Sequence, residues 1–163
     1  MSEAFERLRI ELIELLPRLR RFARNLTHHP DDADDVVQIA LERALARHEQ
    51  WDTDARLDSW MFGIIRNAWI DEVRSRQRRG PHLDVTEMHD ITDQQADTQS
   101  VALSVQTAMN RLPEEQRTAI SLVLVEGLSY KEAAQVMAVP IGTLTSRLAR
   151  GRETLQSLLG GTP

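Results

Sequence analysis

From the first turn of the chain, apolar residues return every three or four positions. Leu8, Leu12, Leu15, Leu16, Leu19, Phe22 and Leu26 form one stripe, as a helix with a single buried face requires. Val36, Val37, Ala40, Leu41, Ala44 and Leu45 form a second. The Pro30-Asp31-Asp32 ahead of it predicts the start of that helix: proline suits the first turn, and carboxylates favour the positive end of the helix dipole. A third helix is predicted from Asp58 or Ser59 to about Arg76. Trp60, Ile64 and Ala68 make one of its rows, with Phe62, Ile65 and Trp69 beside them. No segment alternates with the period of a strand, so the expected fold class is all-α.

The second half is punctuated more sharply. Pro113-Glu114-Glu115 opens a helix through Ile120, Leu124 and Val125, and Gly127 ends it. Ser129 and Glu132 have the spacing of a capping box, in which each side chain bonds the other residue's backbone N–H. That helix runs to about Met137. Pro140 then opens another, carrying Leu144, Leu148, Leu155 and Leu158. Small Ala133 and Ala134 allow a close crossing, and the pair reads as a helix-turn-helix, whose second helix lies in a DNA major groove. Its polar face holds Thr143, Thr145, Ser146, Arg147 and Arg150, with Arg152 near the backbone. Arginine bridges guanine edges or pairs with phosphate, and Thr and Ser reach either at short range. By spacing alone, an ordinary helical hairpin with a solvated basic face is the alternative.

Charge divides the two halves. Residues 1–80 hold 14 basic and 15 acidic side chains, and residues 105–163 hold 6 and 5. Residues 81–104 carry Asp84, Glu87, Asp90, Asp93 and Asp97 with no basic residue, and so supply the whole net charge of −5. This stretch has no helical apolar period from Gly80 to about Ser100 and reads as a flexible acidic linker between two small domains. No internal repeat or low-complexity tract appears.

Composition removes other function classes. At 163 residues and 41% hydrophobic, the chain has enough apolar matter for a core. With no cysteine it has no disulfide, thiolate ligand or thiol nucleophile. Its longest apolar runs are about five residues, against the roughly 20 that span a bilayer. The opening Met-Ser-Glu-Ala-Phe-Glu-Arg is too charged for a signal peptide. The expectation is a cytoplasmic protein with no membrane insertion. His28-His29 lacks a third ligand at a plausible spacing, and no glycine-rich phosphate loop or nucleophile elbow occurs. No metal, no cofactor and no enzyme activity are expected. The acidic total also argues against a protein that coats nucleic acid by charge alone.

Several segments carry a family likeness. Gly127-Leu128-Ser129-Tyr130-Lys131-Glu132-Ala133-Ala134 and Pro140-Ile141-Gly142-Thr143-Leu144-Thr145-Ser146-Arg147-Leu148-Ala149-Arg150-Gly151-Arg152 are similar to the C-terminal domain of bacterial sigma factors of the extracytoplasmic-function (ECF) group. Leu112-Pro113-Glu114-Glu115-Gln116-Arg117 fits the same pattern. Asp34-Asp35-Val36-Val37-Gln38 with Arg43-Ala44 resembles the helix that docks on RNA polymerase. Trp60-Met61-Phe62-Gly63-Ile64-Ile65-Arg66-Asn67, with Asp71 and Arg74, resembles the promoter-melting helix. The likeness covers about 140 residues, in the family's order.

It implies a promoter-specificity subunit of core RNA polymerase. Asp34, Asp35 and Gln38 would meet the basic coiled-coil clamp of the largest polymerase subunit, where opposite charge speeds and orients docking. Ile39 stands where the family usually has an acidic residue, which makes that contact more apolar or offers a regulator a hold. The loop from His48 to Leu57, with Trp51, Asp52 and Thr53, would cradle a base flipped from the minus-ten element. Arg66, Asn67, Arg74, Arg76, Arg78 and Arg79 would steer the separated strand. Trp60 is read as core, whereas Trp69 is divided between core and base stacking. Minus-thirty-five recognition would fall to Thr143, Thr145, Ser146, Arg147, Arg150 and Arg152. The family often carries a basic residue in place of Thr145 and a larger one in place of Ala149. Ala138 replaces a common turn glycine, which implies some backbone strain or a slightly different turn.

The resemblance further implies control by an anti-sigma factor that wedges between the two domains or wraps them, in a stress response, with a free chain that is monomeric. Two alternatives are a sigma-like decoy that sequesters the anti-sigma factor and a stand-alone helix-turn-helix repressor. Retention of the Arg74–Arg79 cluster, Arg147 and Arg150 argues against the decoy.

Overall fold

The protein is described here by a computed structural model covering residues 2–52, 54–80 and 100–160, with the side chains of residues 100–103 excepted. The described residues form seven α-helices and no strand. The N-terminal half contains α1 (Glu3–Thr27), α2 (Pro30–Ala46) and α3 (Leu57–Arg78), with a 3₁₀ turn at His48–Gln50. The Ser2 hydroxyl caps α1 by accepting the Phe5 N–H at 3.2 Å. His28 ends α1 in the left-handed region at φ 70°, and Pro30 begins α2 two residues later. The stripes expected from the sequence meet in one core: Leu8, Leu19, Phe22, Val36, Met61, Phe62 and Ile65 are fully buried. The Phe22 and Phe62 rings lie 4.8 Å apart at 52°. Each such side chain contributes about 1.5–3 kcal/mol through removal from water.

The C-terminal half contains α4 (Ser100–Arg111), α5 (Glu114–Ile120), α6 (Tyr130–Met137) and α7 (Ile141–Leu158). Helix α4 begins inside the stretch 81–104 that reads as linker. Its downstream Ala108 and Met109 are buried, and packing rather than local pattern holds it. Helix α5 does not simply end near Gly127. It continues as a π-helical turn over Ser121–Val125, in which the Glu126 N–H donates to the Ser121 carbonyl at 2.9 Å. Gly127, at φ 77°, then breaks the chain direction. The capping box forms in both senses: the Glu132 N–H donates to Ser129 Oγ at 3.1 Å and the Ser129 N–H to Glu132 Oε1 at 2.9 Å. Ala138 sits at φ 56°, ψ 45°, in the left-handed region, the strained of the two alternatives its place in the motif left open. Helix α7 crosses α5 at Gly151, where an added Cβ would lie 2.6 Å from Ile120 Cδ1.

The halves pack directly on each other, α1 against α5 and α3 against α6.

Candidate nucleic-acid interface

Helix α2 turns its apolar stripe inward, which leaves Asp34, Asp35 and Gln38 exposed one turn past the acidic start of the helix. Ile39 is half-buried. It lines a cavity of about 230 Å³ together with Asp35, Gln38, Glu42, Glu72 and Arg76. This is the surface the sequence assigns to a basic partner.

The loop before α3 is tightly turned. The Asp54 N–H donates to Asp52 Oδ1 at 3.0 Å, and the Ala55 N–H to the Asp52 carbonyl at 2.9 Å. Trp51 packs on the core with its Nε1 buried and unpartnered among the described residues. Thr53 lies outside the described residues. The loop is tied down at its far end by Arg56, which donates to both Asp58 oxygens at 3.1 and 2.7 Å.

Helix α3 sorts its candidates into three groups. Arg74, Arg78 and Asn67 are exposed, and neither arginine makes an ion pair among the described residues. Arg76 is committed to the fold: it meets Asp32 at 2.6 Å and Glu72 at 3.1 Å, and stacks 5.5 Å over the Trp69 ring. The Asp32 hydrogen bond is the main cause of its raised pKa. Arg79 reaches Glu72 at 3.5 Å. Trp69, left open by the sequence, is 8% exposed. Its indole N–H donates to Glu114 of α5 at 3.2 Å. Trp60, read as core, is half-buried against that core. Arg66 is half-buried, and its pKa is lowered first by burial and then by the charge of Arg147 on α7.

On α7, Leu144, Leu148 and Gly151 face inward, and Thr145, Ser146, Arg150 and Arg152 face solvent. Thr143 is half-buried. The Thr145 hydroxyl donates to the Ile141 carbonyl at 2.9 Å. Arg147 is only 22% exposed and pairs with Glu115 at 3.3 Å. The candidate DNA side chains of α3 and α7 thus converge at Arg66 and Arg147.

Comparison with known proteins decides what these surfaces belong to. Residues 12–79 match Sigma-70 region 2, and residues 102–155 match Sigma-70 region 4. The ECF RNA polymerase sigma factor EcfG of Rhodopseudomonas palustris is 35% identical over 153 residues, spanning 93% of this chain and 84% of that protein. The chain belongs to the ECF sigma factors. This is a family of non-enzymatic, DNA-binding transcription initiation factors. The ECF sigma factor SigM of Mycobacterium tuberculosis is 36% identical over 143 residues, covering 88% of this sigma factor and 72% of SigM. The solved structure of the sigma factor RpoE with the anti-sigma factor NepR, from Bartonella quintana, superposes with a TM-score of 0.78 at 32% identity. That match covers 97% of this chain and 99% of the other. No described helix is long and apolar enough to cross a membrane.

Sequence reasoning missed a third constellation, at the junction of the halves. Arg18 and Arg21 of α1 both meet Glu126 at the end of the π turn, at 3.2 and 2.8 Å. Arg18 also reaches Asp58 at 3.0 Å, and Arg56 reaches Glu132 of the capping box at 3.2 Å. Arg117 is 2% exposed and pairs with no carboxylate among the described residues. It donates to the backbone carbonyls of Asn25 and Leu26 at the end of α1, and to that of Leu112. Burial pushes its pKa down to about 10. Beside it, His28 is pushed down to about 4, first by burial and then by the Arg117 charge. The one available signal was Arg117 within Leu112–Arg117, a motif matched but given no physical role.

Proposed function

We propose that the chain uses α2 to dock on core RNA polymerase and uses α3 and α7 to direct initiation from its own promoters. Asp34, Asp35, Gln38 and Ile39 form the polymerase contact. Trp51, Asp52, Thr53, Arg66, Asn67, Trp69, Arg74, Arg76, Arg78 and Arg79 serve the minus-ten element. Thr143, Thr145, Ser146, Arg147, Arg150 and Arg152 serve the minus-thirty-five element. The observation that carries this reading is the exposure of Asp34, Asp35 and Gln38 on α2 and of Arg74, Arg78, Arg150 and Arg152 elsewhere, side chains the core does not use. A monomer working in the cytoplasm fits that task.

An anti-sigma factor holds this sigma factor inactive. The likeness to RpoE in its NepR complex supports this, and the direct packing of the halves favours a partner that wraps them over one that wedges between them.

Run-off transcription with core polymerase is the test. Arg150→Ala should abolish transcripts while polymerase binding persists, and Asp34→Ala with Gln38→Ala should weaken polymerase binding itself. Absence of any transcript from the unaltered chain, with tight anti-sigma binding retained, would establish the decoy instead.

A further inference from the structure

Helix α7 carries two parallel rows on the side turned away from its buried Leu144 and Leu148. Residues four apart share one helix face. Gly142, Ser146 and Arg150 make one row and Ile141, Thr145 and Ala149 the other, and all six are exposed. The first row has hydrogen-bond donors to give, in Ser146 and Arg150. The second has none. Ile141 is 49% exposed, an apolar side chain that the core does not use. Ala149 is a bare methyl. Thr145 spends its hydroxyl hydrogen on the Ile141 carbonyl at 2.9 Å, so a methyl group and oxygen lone pairs are what it has left for a partner.

A lone exposed apolar residue is ordinary on a protein surface. Three in register, over about 12 Å of helix axis, are a surface with a chemistry of its own. This one lies on the second helix of a helix-turn-helix, within the residues that match Sigma-70 region 4, and that helix enters a major groove. DNA offers the row one match. Guanine, cytosine and adenine present hydrogen-bonding atoms in the major groove, and thymine alone adds an apolar group, its C5-methyl. Bidentate readout of guanine needs arginine or lysine, and Ile141, Thr145 and Ala149 supply neither.

We infer that Ile141, Thr145 and Ala149 form a thymine-reading row, whose apolar atoms pack on C5-methyl groups of the minus-thirty-five element. At those positions sequence preference comes from methyl contact, while Ser146 and Arg150 alongside hold phosphate or guanine. The inference rests on the assignment of α7 to that element and names the base chemistry it reads.

The test uses the full chain assembled with core RNA polymerase. Duplexes with a randomised upstream region are selected for binding, and each thymine of the enriched element is then replaced by deoxyuridine, which removes only the methyl. At one or more positions the replacement should weaken binding about fourfold, one methyl's worth of apolar burial. That penalty should disappear in at least one of Ile141→Ala, Thr145→Ser and Ala149→Gly. The ratio of thymine to uracil binding is taken within each variant, so general weakening or partial unfolding leaves it unchanged. An enriched element without thymine overturns the inference, as does uracil tolerated at every position. A full penalty kept by all three variants overturns it too. If no upstream sequence is enriched at all, the assignment of α7 falls and takes the inference with it; in the other failures that assignment stands.

Discussion

The two halves of this sigma factor solve the same packing problem in opposite ways. The N-terminal half is built on bulk: long helices meet through Phe22, Phe62, Met61 and Leu19, all fully buried. The C-terminal half is built on approach: helices cross closely at Ala133, Ala134 and Gly151, and caps and turns fix their angles. A core of large side chains fails by leaving a cavity, and a close crossing fails by overfilling. The difference predicts opposite sensitivities to the size of a substitution.

Phe62→Ala should be the most damaging change, at about 3–5 kcal/mol, because a buried aromatic leaves a hole that long helices cannot collapse. All three tryptophans, at 51, 60 and 69, lie in the N-terminal half. Urea denaturation followed by tryptophan fluorescence should therefore register the loss in full. Gly151→Ala adds a single methyl yet should cost about 1–3 kcal/mol, since the new Cβ meets the buried Ile120. Circular dichroism should show it. A neutral result would mean that α7 can ride outward and that the crossing is looser than its geometry. Smallest is a gain: Ala138→Gly should stabilise by about 0.5–1 kcal/mol, the left-handed penalty less the entropy of glycine. An unchanged melting temperature would place that turn's strain elsewhere.

Local structure was legible in the sequence because it is caused locally. The stripes of α1 to α3, the Ser129–Glu132 box and the strained Ala138 each depend on residues within one or two turns. The boundary of α4 and the π turn were less so. Ser121–Val125 reads as plain helix, and only the contacts around it decide whether the backbone takes the wider turn. The candidate DNA residues were found as a set, yet their sorting was not. Whether Arg76 faces solvent or grips Asp32 depends on a residue 44 positions away. Glu126 sits beside a helix-ending glycine and reads as loop, and nothing in its neighbourhood announces Arg18 and Arg21, more than a hundred residues upstream. Contacts between residues so far apart leave no periodic trace.

Arg117 gives the junction an asymmetry with genetic consequences. Its acceptors in the N-terminal half are main-chain carbonyls, of Asn25 and Leu26. No side-chain substitution at those two positions deletes an acceptor, so the contact tolerates drift on one side and is vulnerable on the other. A screen for chains with weakened packing between the halves should recover changes at residue 117 readily, changes at 26 only where they alter the path of the helix, and changes at 25 through the lost side-chain bonds to Ser121 and Gln106 rather than through Arg117. Half of this clasp is thus written in the backbone, where neither a substitution table nor a covariation signal would register it.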